Sequence, residues 1–356
     1  MTKVNRRIAV FGLALCAAAG LLGCSGGSSV STPPPGQTVT DVYIVGFERN
    51  AASINVAKIW KNGVATSLTN GTQNADGYSV AVSGNDIYVA GYEYNGTTGL
   101  PVAKVWKNGV STSLTDGTKA GMAWSVAVVG GDVHASGYEQ TGGSGTPYKA
   151  RAWKNGVATY STDGSRNAAA YGITVAGSNQ YMTGFENNGS IDVAKVWKDG
   201  VPALLGDGTY SSYGYSVIVS GNDVYVAGMQ LVDGGNGAAR VWKNGVATTL
   251  SDGTLNGSVA GLALSGNDAY ATGAVQNAAG KYIAKLWKNG AATSLTDGSN
   301  NAFASGVGLS GSDVYISGYE FNGTKYVAKV WKNGIGTSLT DGTNYAIAEG
   351  LFIYVH

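Results

Sequence analysis

The chain has 356 residues, of which 56 are glycine, roughly twice the usual share of about 7%. Only 13% are charged, and 23 Lys and Arg against 22 Asp and Glu leave a net charge of +1, which excludes a basic nucleic-acid footprint and an acidic solvating tail. A hydrophobic share of 44% excludes a disordered chain, and the length admits one large β domain or two or three ordinary ones.

In chain order, Lys3, Arg6 and Arg7 precede a continuous apolar run from Ile8 to Leu22. That run suits the core of a signal peptide and is short of the roughly 20 residues of a membrane span. It ends in Leu21-Leu22-Gly23-Cys24, which resembles the lipobox of bacterial lipoproteins. The resemblance implies a leader over 1–24 and a lipid on Cys24. An ordinary secretory leader with an incidental cysteine is the alternative. Cys16 would leave with the leader, so no disulfide is expected. By the same resemblance, Ser25 after the cysteine implies delivery to the outer membrane. Residues 25–40, rich in Ser, Gly and Pro, read as a tether stiffened at Pro33-Pro34-Pro35.

Residues 41–356 are built from repeats. Trp recurs at 60, 106, 153, 197, 242, 287 and 331, each time in a segment like AKVWKNG. Segments like DVYVAGYE begin at Asp41, Asp86, Asp132, Asn179, Asp223, Asp268 and Asp313. Segments like SVAVSG begin at Ser79, Ser125, Gly172, Ser216, Gly261 and Gly306, and segments like VATSLTDG follow each WKNG. All are short, rich in β-branched and aromatic residues, and bounded by turn formers, so each reads as a strand. Asn-Gly in WKNG suits a type I′ hairpin turn, and SGND suits a similar tight turn. Each repeat is therefore a four-stranded antiparallel meander of about 45 residues, the pattern of a propeller blade. The first repeat lacks its SVAVSG strand, and the chain ends by supplying one at Gly350–Val355. The prediction is an all-β, seven-bladed β-propeller whose C-terminal strand closes the ring on the N-terminal blade, hiding both edges.

The seven DVYVAG-like cores resemble the YVTN-type propeller repeats of bacterial cell-surface proteins over the whole of 41–356. That group supplies no catalytic motif to carry over. The boxes of sialidase, quinoprotein, WD and kelch propellers are missing from the sequence.

Few residues offer reactive chemistry. His134 stands where other repeats have Tyr, and His356 is the last residue, so a catalytic triad or a His-rich metal site is not expected. No cofactor motif is found. The seven Trp read as packing, and the Asp of each LTDG as a turn residue. Glu48, Glu93, Glu139, Glu186 and Glu320 end their strands opposite the basic residue two before Trp, which suggests repeated salt bridges.

What varies between repeats is the better guide to a site. The residues placed just before the SVAVSG strand are Tyr78, Trp124, Tyr171, Tyr215, Ala260, Ser305 and Glu349. Four aromatics would thus line one side of the channel mouth, with Glu349, Glu48, Glu93 and Glu320 making an acidic side. Aromatic faces beside carboxylates suit sugars or cationic peptides. The expected function is a non-catalytic, monomeric, lipid-anchored scaffold at the cell envelope that binds a glycan or an envelope protein. Its only membrane contact would be the lipid anchor. Alternatives are an assembly hub using the outer blade edges, and an envelope hydrolase or lyase using Glu48, Glu320 and Glu349.

Overall fold

The computed structural model describes residues 38–356. The expected leader, the lipidation at Cys24 and most of the tether lie outside the described residues. Within them, 28 strands form seven four-stranded antiparallel sheets, with no helix. Blades are numbered 1 to 7 here in chain order, and their strands A to D from the axis outward.

Ring closure is as the sequence predicts. Strand A of blade 1 is Ala346–Val355, paired with strand B at Thr40–Arg49 from the other end of the chain. Val39 and His356 extend the seam through two backbone hydrogen bonds of 2.7 and 3.0 Å. Each A strand packs on the A strands of both neighbouring blades, including blade 7 on blade 1.

The Trp of each strand C is at most 2% exposed. Trp106 of blade 2 packs with Tyr43 and Ile59 of blade 1, and Trp60 of blade 1 packs with Tyr315 and Ala328 of blade 7. Each Trp therefore fills the widening gap to the preceding blade, and truncating one would cost about 3–5 kcal/mol. Strand D is the outer edge. Its first residues include Val64, Val110 and Ile335, which are 71–75% exposed.

Turn chemistry fixes the hairpins. In WKNG, Asn62 and Gly63 both take positive φ, at 51° and 83°, as a type I′ turn requires. The SGND turn differs from its expected likeness to WKNG. At 83–86 only Gly84 has positive φ, which is the type II′ pattern.

Strand A is longer than predicted. In blade 2 it runs Ala75–Ser83, not from Ser79, because pairing continues through a β-bulge. Gly77 pairs with Gly91 and Ser79 with Ala90, which leaves Tyr78 as the extra residue. The same break falls between Ala123 and Ser125, Ala170 and Gly172, Gly214 and Ser216, Val259 and Gly261, and Ala304 and Gly306. In blade 1 it falls at Glu349-Gly350 opposite Val45. The bulge explains the glycine of DVYVAG. A Cβ on Gly91 would overlap the carbonyl oxygen of Asp76 and stand 3.0 Å from its carbonyl carbon.

Candidate functional site

The bulges decide where the variable side chains go. Tyr78, Trp124, Tyr171, Tyr215, Ala260, Ser305 and Glu349 are the seven bulged residues, one per blade. They lie inside strand A and not before it, which corrects their expected placement. An extra residue breaks the two-residue alternation of a strand and re-aims its side chain, here toward the axis.

On the aromatic side these rings close on one another. Trp124 and Tyr171 have centroids 4.4 Å apart, and Tyr171 meets Tyr215 edge-on at 5.5 Å. Tyr138, Phe185 and Tyr213 back them, at 5.0 Å from Trp124, 5.9 Å from Tyr171 and 6.3 Å from Tyr215 respectively. Tyr78 and Tyr215 are buried, while Trp124 and Tyr171 keep a partly open face. Burial pushes the Tyr171 phenol well above its ordinary value. Burial also raises Tyr213, helped by the charge of Asp192, which accepts its hydroxyl hydrogen bond at 2.8 Å. This side is a packed aromatic plug.

The carboxylates are engaged within their own blades. Lys58 donates to Glu48 at 2.5 Å, Lys104 to Glu93 at 2.6 Å and Lys329 to Glu320 at 2.5 Å. Arg151 and Lys195 hold Glu139 and Glu186 in the same way. Glu349 is 0% exposed. Of the three carboxylates suggested for hydrolysis, Glu48 and Glu320 are each ion-paired with a lysine of their own blade, and Glu349 is buried. A second ion pair was not expected: in six blades the Lys after Trp reaches the Asp that opens strand B, as in Lys107–Asp86 at 2.7 Å, while blade 4 has Asn179 in place of that Asp. His134 is buried, with Nδ1 3.0 Å from Gln180 Oε1. Each LTDG Asp closes its own turn, as where Asp116 accepts from the Thr118 N–H and hydroxyl at 2.9 and 2.7 Å. Among the described residues no three His, Cys, Asp or Glu group closely enough to hold a metal ion.

The open space lies on the other side of the axis. Where the bulged residues shrink to Ala260 and Ser305, a cleft of about 360 Å³ opens over Glu349. Its wall is a second aromatic array that sequence reading missed. Phe303 lies 4.8 Å from Tyr282 and 5.1 Å from Tyr319, and Tyr319 meets Tyr326 edge-on at 5.2 Å. Tyr326 meets Tyr345 at 5.6 Å, and Tyr345 stacks on Phe47 at 5.7 Å. Burial raises the Tyr326 phenol, partly offset by a hydrogen bond with Asn301, so it is a neutral hydroxyl near pH 7. Polar lining comes from Arg49, Asn55, Ser258, Ser305 and the buried Glu349. The signal that would have found this wall is departure from the repeat: position 303 is Phe where the blade 2 counterpart is Asp76, and 326 is Tyr where it is Pro101. Half-buried rings beside a few donors can hold the flat face of a ring-shaped polar ligand.

This geometry defines a β-propeller with a cleft at one mouth of its channel. The sequence matches no protein-family model and no curated protein. Among solved structures, the chain is similar to an acylaminoacyl peptidase of Pyrococcus horikoshii, with a TM-score of 0.53 and 14% identity over 85% of this chain. It spans about half of that protein, 51%. The β-propeller domain of the Trilobed protease from Pyrococcus furiosus, described as having an open velcro topology, matches with a TM-score of 0.52 and 12% identity, covering 85% of this chain and 93% of that one. At these identities the likeness shows the fold alone. Here, in contrast to an open seam, the first and last strands of the ring are paired.

Proposed function

We propose that the protein is a non-catalytic saccharide-binding β-propeller of the YVTN type, held at the cell envelope by a lipid on Cys24. The observation that carries this reading is the aromatic cleft of about 360 Å³ with its few polar groups. Sugar rings present apolar C–H faces that stack on aromatic side chains, and their hydroxyls bond to amide, hydroxyl and guanidinium groups at the edges. The entry of the chain supports the anchor. Val39 joins His356 at the end of the ring opposite the cleft, so a tether there would hold the cleft away from the membrane. Residues 25–39 would reach about 50 Å when extended.

The test is calorimetric titration with a panel of neutral and acidic oligosaccharides. Tyr326→Ala or Phe303→Ala should weaken a binding sugar by about 30-fold, the loss of a hot-spot side chain of about 2 kcal/mol. The reading fails if no saccharide binds, or if binding is indifferent to both substitutions. A second reading, an assembly hub, is favoured by the aliphatic residues 71–75% exposed along the outer strands. It predicts self-association that disappears when Val64, Val110 and Ile335 are changed to Thr, as read by sedimentation.

A further inference from the structure

In five blades the basic residue of strand C is neutralised by the Glu of strand B. Arg49 has no carboxylate within ion-pair distance among the described residues, and it lines the cleft. Its guanidinium is nonetheless held in place. It lies over the Tyr345 ring at 4.7 Å, and its Nε–H donates to Asn55 Oδ1 at 3.0 Å. Asn55 is itself buried, its backbone N–H donating to Asn74 Oδ1 at 2.8 Å. Stacking on one face and a hydrogen bond at Nε leave the two terminal nitrogens as a preset fork, the arrangement that matches a carboxylate or sulfate.

Two more cations flank the same wall. Lys281 precedes Tyr282 and Lys325 precedes Tyr326; both lysines are exposed and both tyrosines line the cleft. Lys325 Nζ donates to the backbone carbonyl of Thr343, which holds it beside the segment carrying Tyr345. Glu48 and Glu320 are spent on Lys58 and Lys329. Asp341 turns back onto Thr343. Glu349, which is 0% exposed, also lines the cleft, at its floor. The exposed cations Arg49, Lys281 and Lys325 therefore stand at the rim, beside an aromatic wall and above the buried Glu349.

Building on the saccharide reading, we infer that the ligand is an acidic saccharide, in which a uronate or sulfated sugar unit stacks on the aromatic wall and seats its anionic group on Arg49. The sugar face supplies contact area. The charge-assisted pair supplies the choice among sugars, because a neutral unit offers the guanidinium no charged acceptor.

The test is calorimetric titration of the purified protein with α-linked trigalacturonate, its methyl ester, and a sulfated galactose trisaccharide, at 50 and 300 mM NaCl. Trigalacturonate or the sulfated sugar should bind at least tenfold more tightly than the neutral ester at 50 mM salt. That gap should shrink at 300 mM, as expected for a partly exposed charge pair. The better of the two acidic probes tells a carboxylate from a sulfate source. Arg49→Gln should bring the acidic probe down to the level of the ester, and Arg49→Lys should restore part of the gap. Equal affinity of the acidic and neutral probes in the unaltered protein overturns the inference without needing a variant. So does a gap that survives Arg49→Gln. Binding of the ester without any acid preference leaves the saccharide reading standing and removes only the charge assignment. Failure of every saccharide removes both.

Discussion

Deleting Leu351–His356 tests the closed ring most severely. Leu351 is 0% and Phe352 6% exposed, and they pack into two different inter-blade clusters. Burying each is worth about 1.5–3 kcal/mol. The deletion also removes the pairing of Thr40 to Ile44 with Leu351 to Val355 and both Val39–His356 bonds. The six backbone bonds contribute about 1 kcal/mol apiece, so the combined loss is about 9–12 kcal/mol. A whole domain is stable by only about 5–15 kcal/mol. The shortened protein should therefore lose its cooperative melt, and a naked strand edge in blade 1 should drive aggregation. Differential scanning calorimetry with size-exclusion chromatography reads both effects. A monomer melting within a few degrees of the full chain would refute the reasoning, because it would mean that the seam contributes little.

Other perturbations probe single features. Gly91→Ala should destabilise by 2 kcal/mol or more, about the scale of a strained or overpacked site, because its Cβ would overlap the bulge carbonyl of Asp76. Gly63→Ala meets open space but sits at φ 83°, so its cost should be smaller, about 1 kcal/mol, when both variants are compared by urea titration. Stability should fall at both extremes of pH. Hydrogen bonds from Lys107 and Asn108 lower Asp86 below its ordinary 3.8, and the same contacts act at Asp223 and Asp313. Their stabilisation is present above the unfolded value and is lost as pH drops through the lowered one, below about pH 4. Tyr171 and Tyr213 are raised above 10.0, chiefly by burial, so their contribution holds below that value and disappears as alkali forces ionisation. Melting temperatures across pH 2 to 12 should trace a plateau with two shoulders, and a melt that is flat above pH 10 would contradict the buried-phenol account.

The fold is legible in the sequence because every level of it repeats. Seven Trp, seven strand-B starts and seven Asn-Gly or Asp-Gly turns each report the same four-stranded unit, and the displaced segment at 350–355 reports closure. The site is less legible. A bulge leaves no mark in residue periodicity beyond one extra residue, so Tyr78 and its counterparts read as flanking a strand they actually interrupt. Whether a ring of aromatics plugs a channel or lines a cleft depends on neighbours two or more blades apart. Trp124, Tyr171 and Tyr215 fall in consecutive blades and close on one another. Phe303, Tyr319, Tyr326 and Tyr345 face the gap left by Ala260 and Ser305. That difference is one of complementary volumes around the axis, which no single repeat displays.

The bulges also separate two jobs that a strand usually combines. Ser79, Val80 and Ala81 of blade 2 answer to neighbouring blades, whereas the extra residue at 78 is bound by no pairing register. The seven bulged positions spell Tyr, Trp, Tyr, Tyr, Ala, Ser and Glu around the axis. Each letter can be rewritten while the hydrogen-bonded frame behind it is kept. A propeller of this kind is a seven-position dial. Cleft shape can be reprogrammed by combinatorial change at these positions, with the Trp-filled gaps between blades left as the invariant chassis.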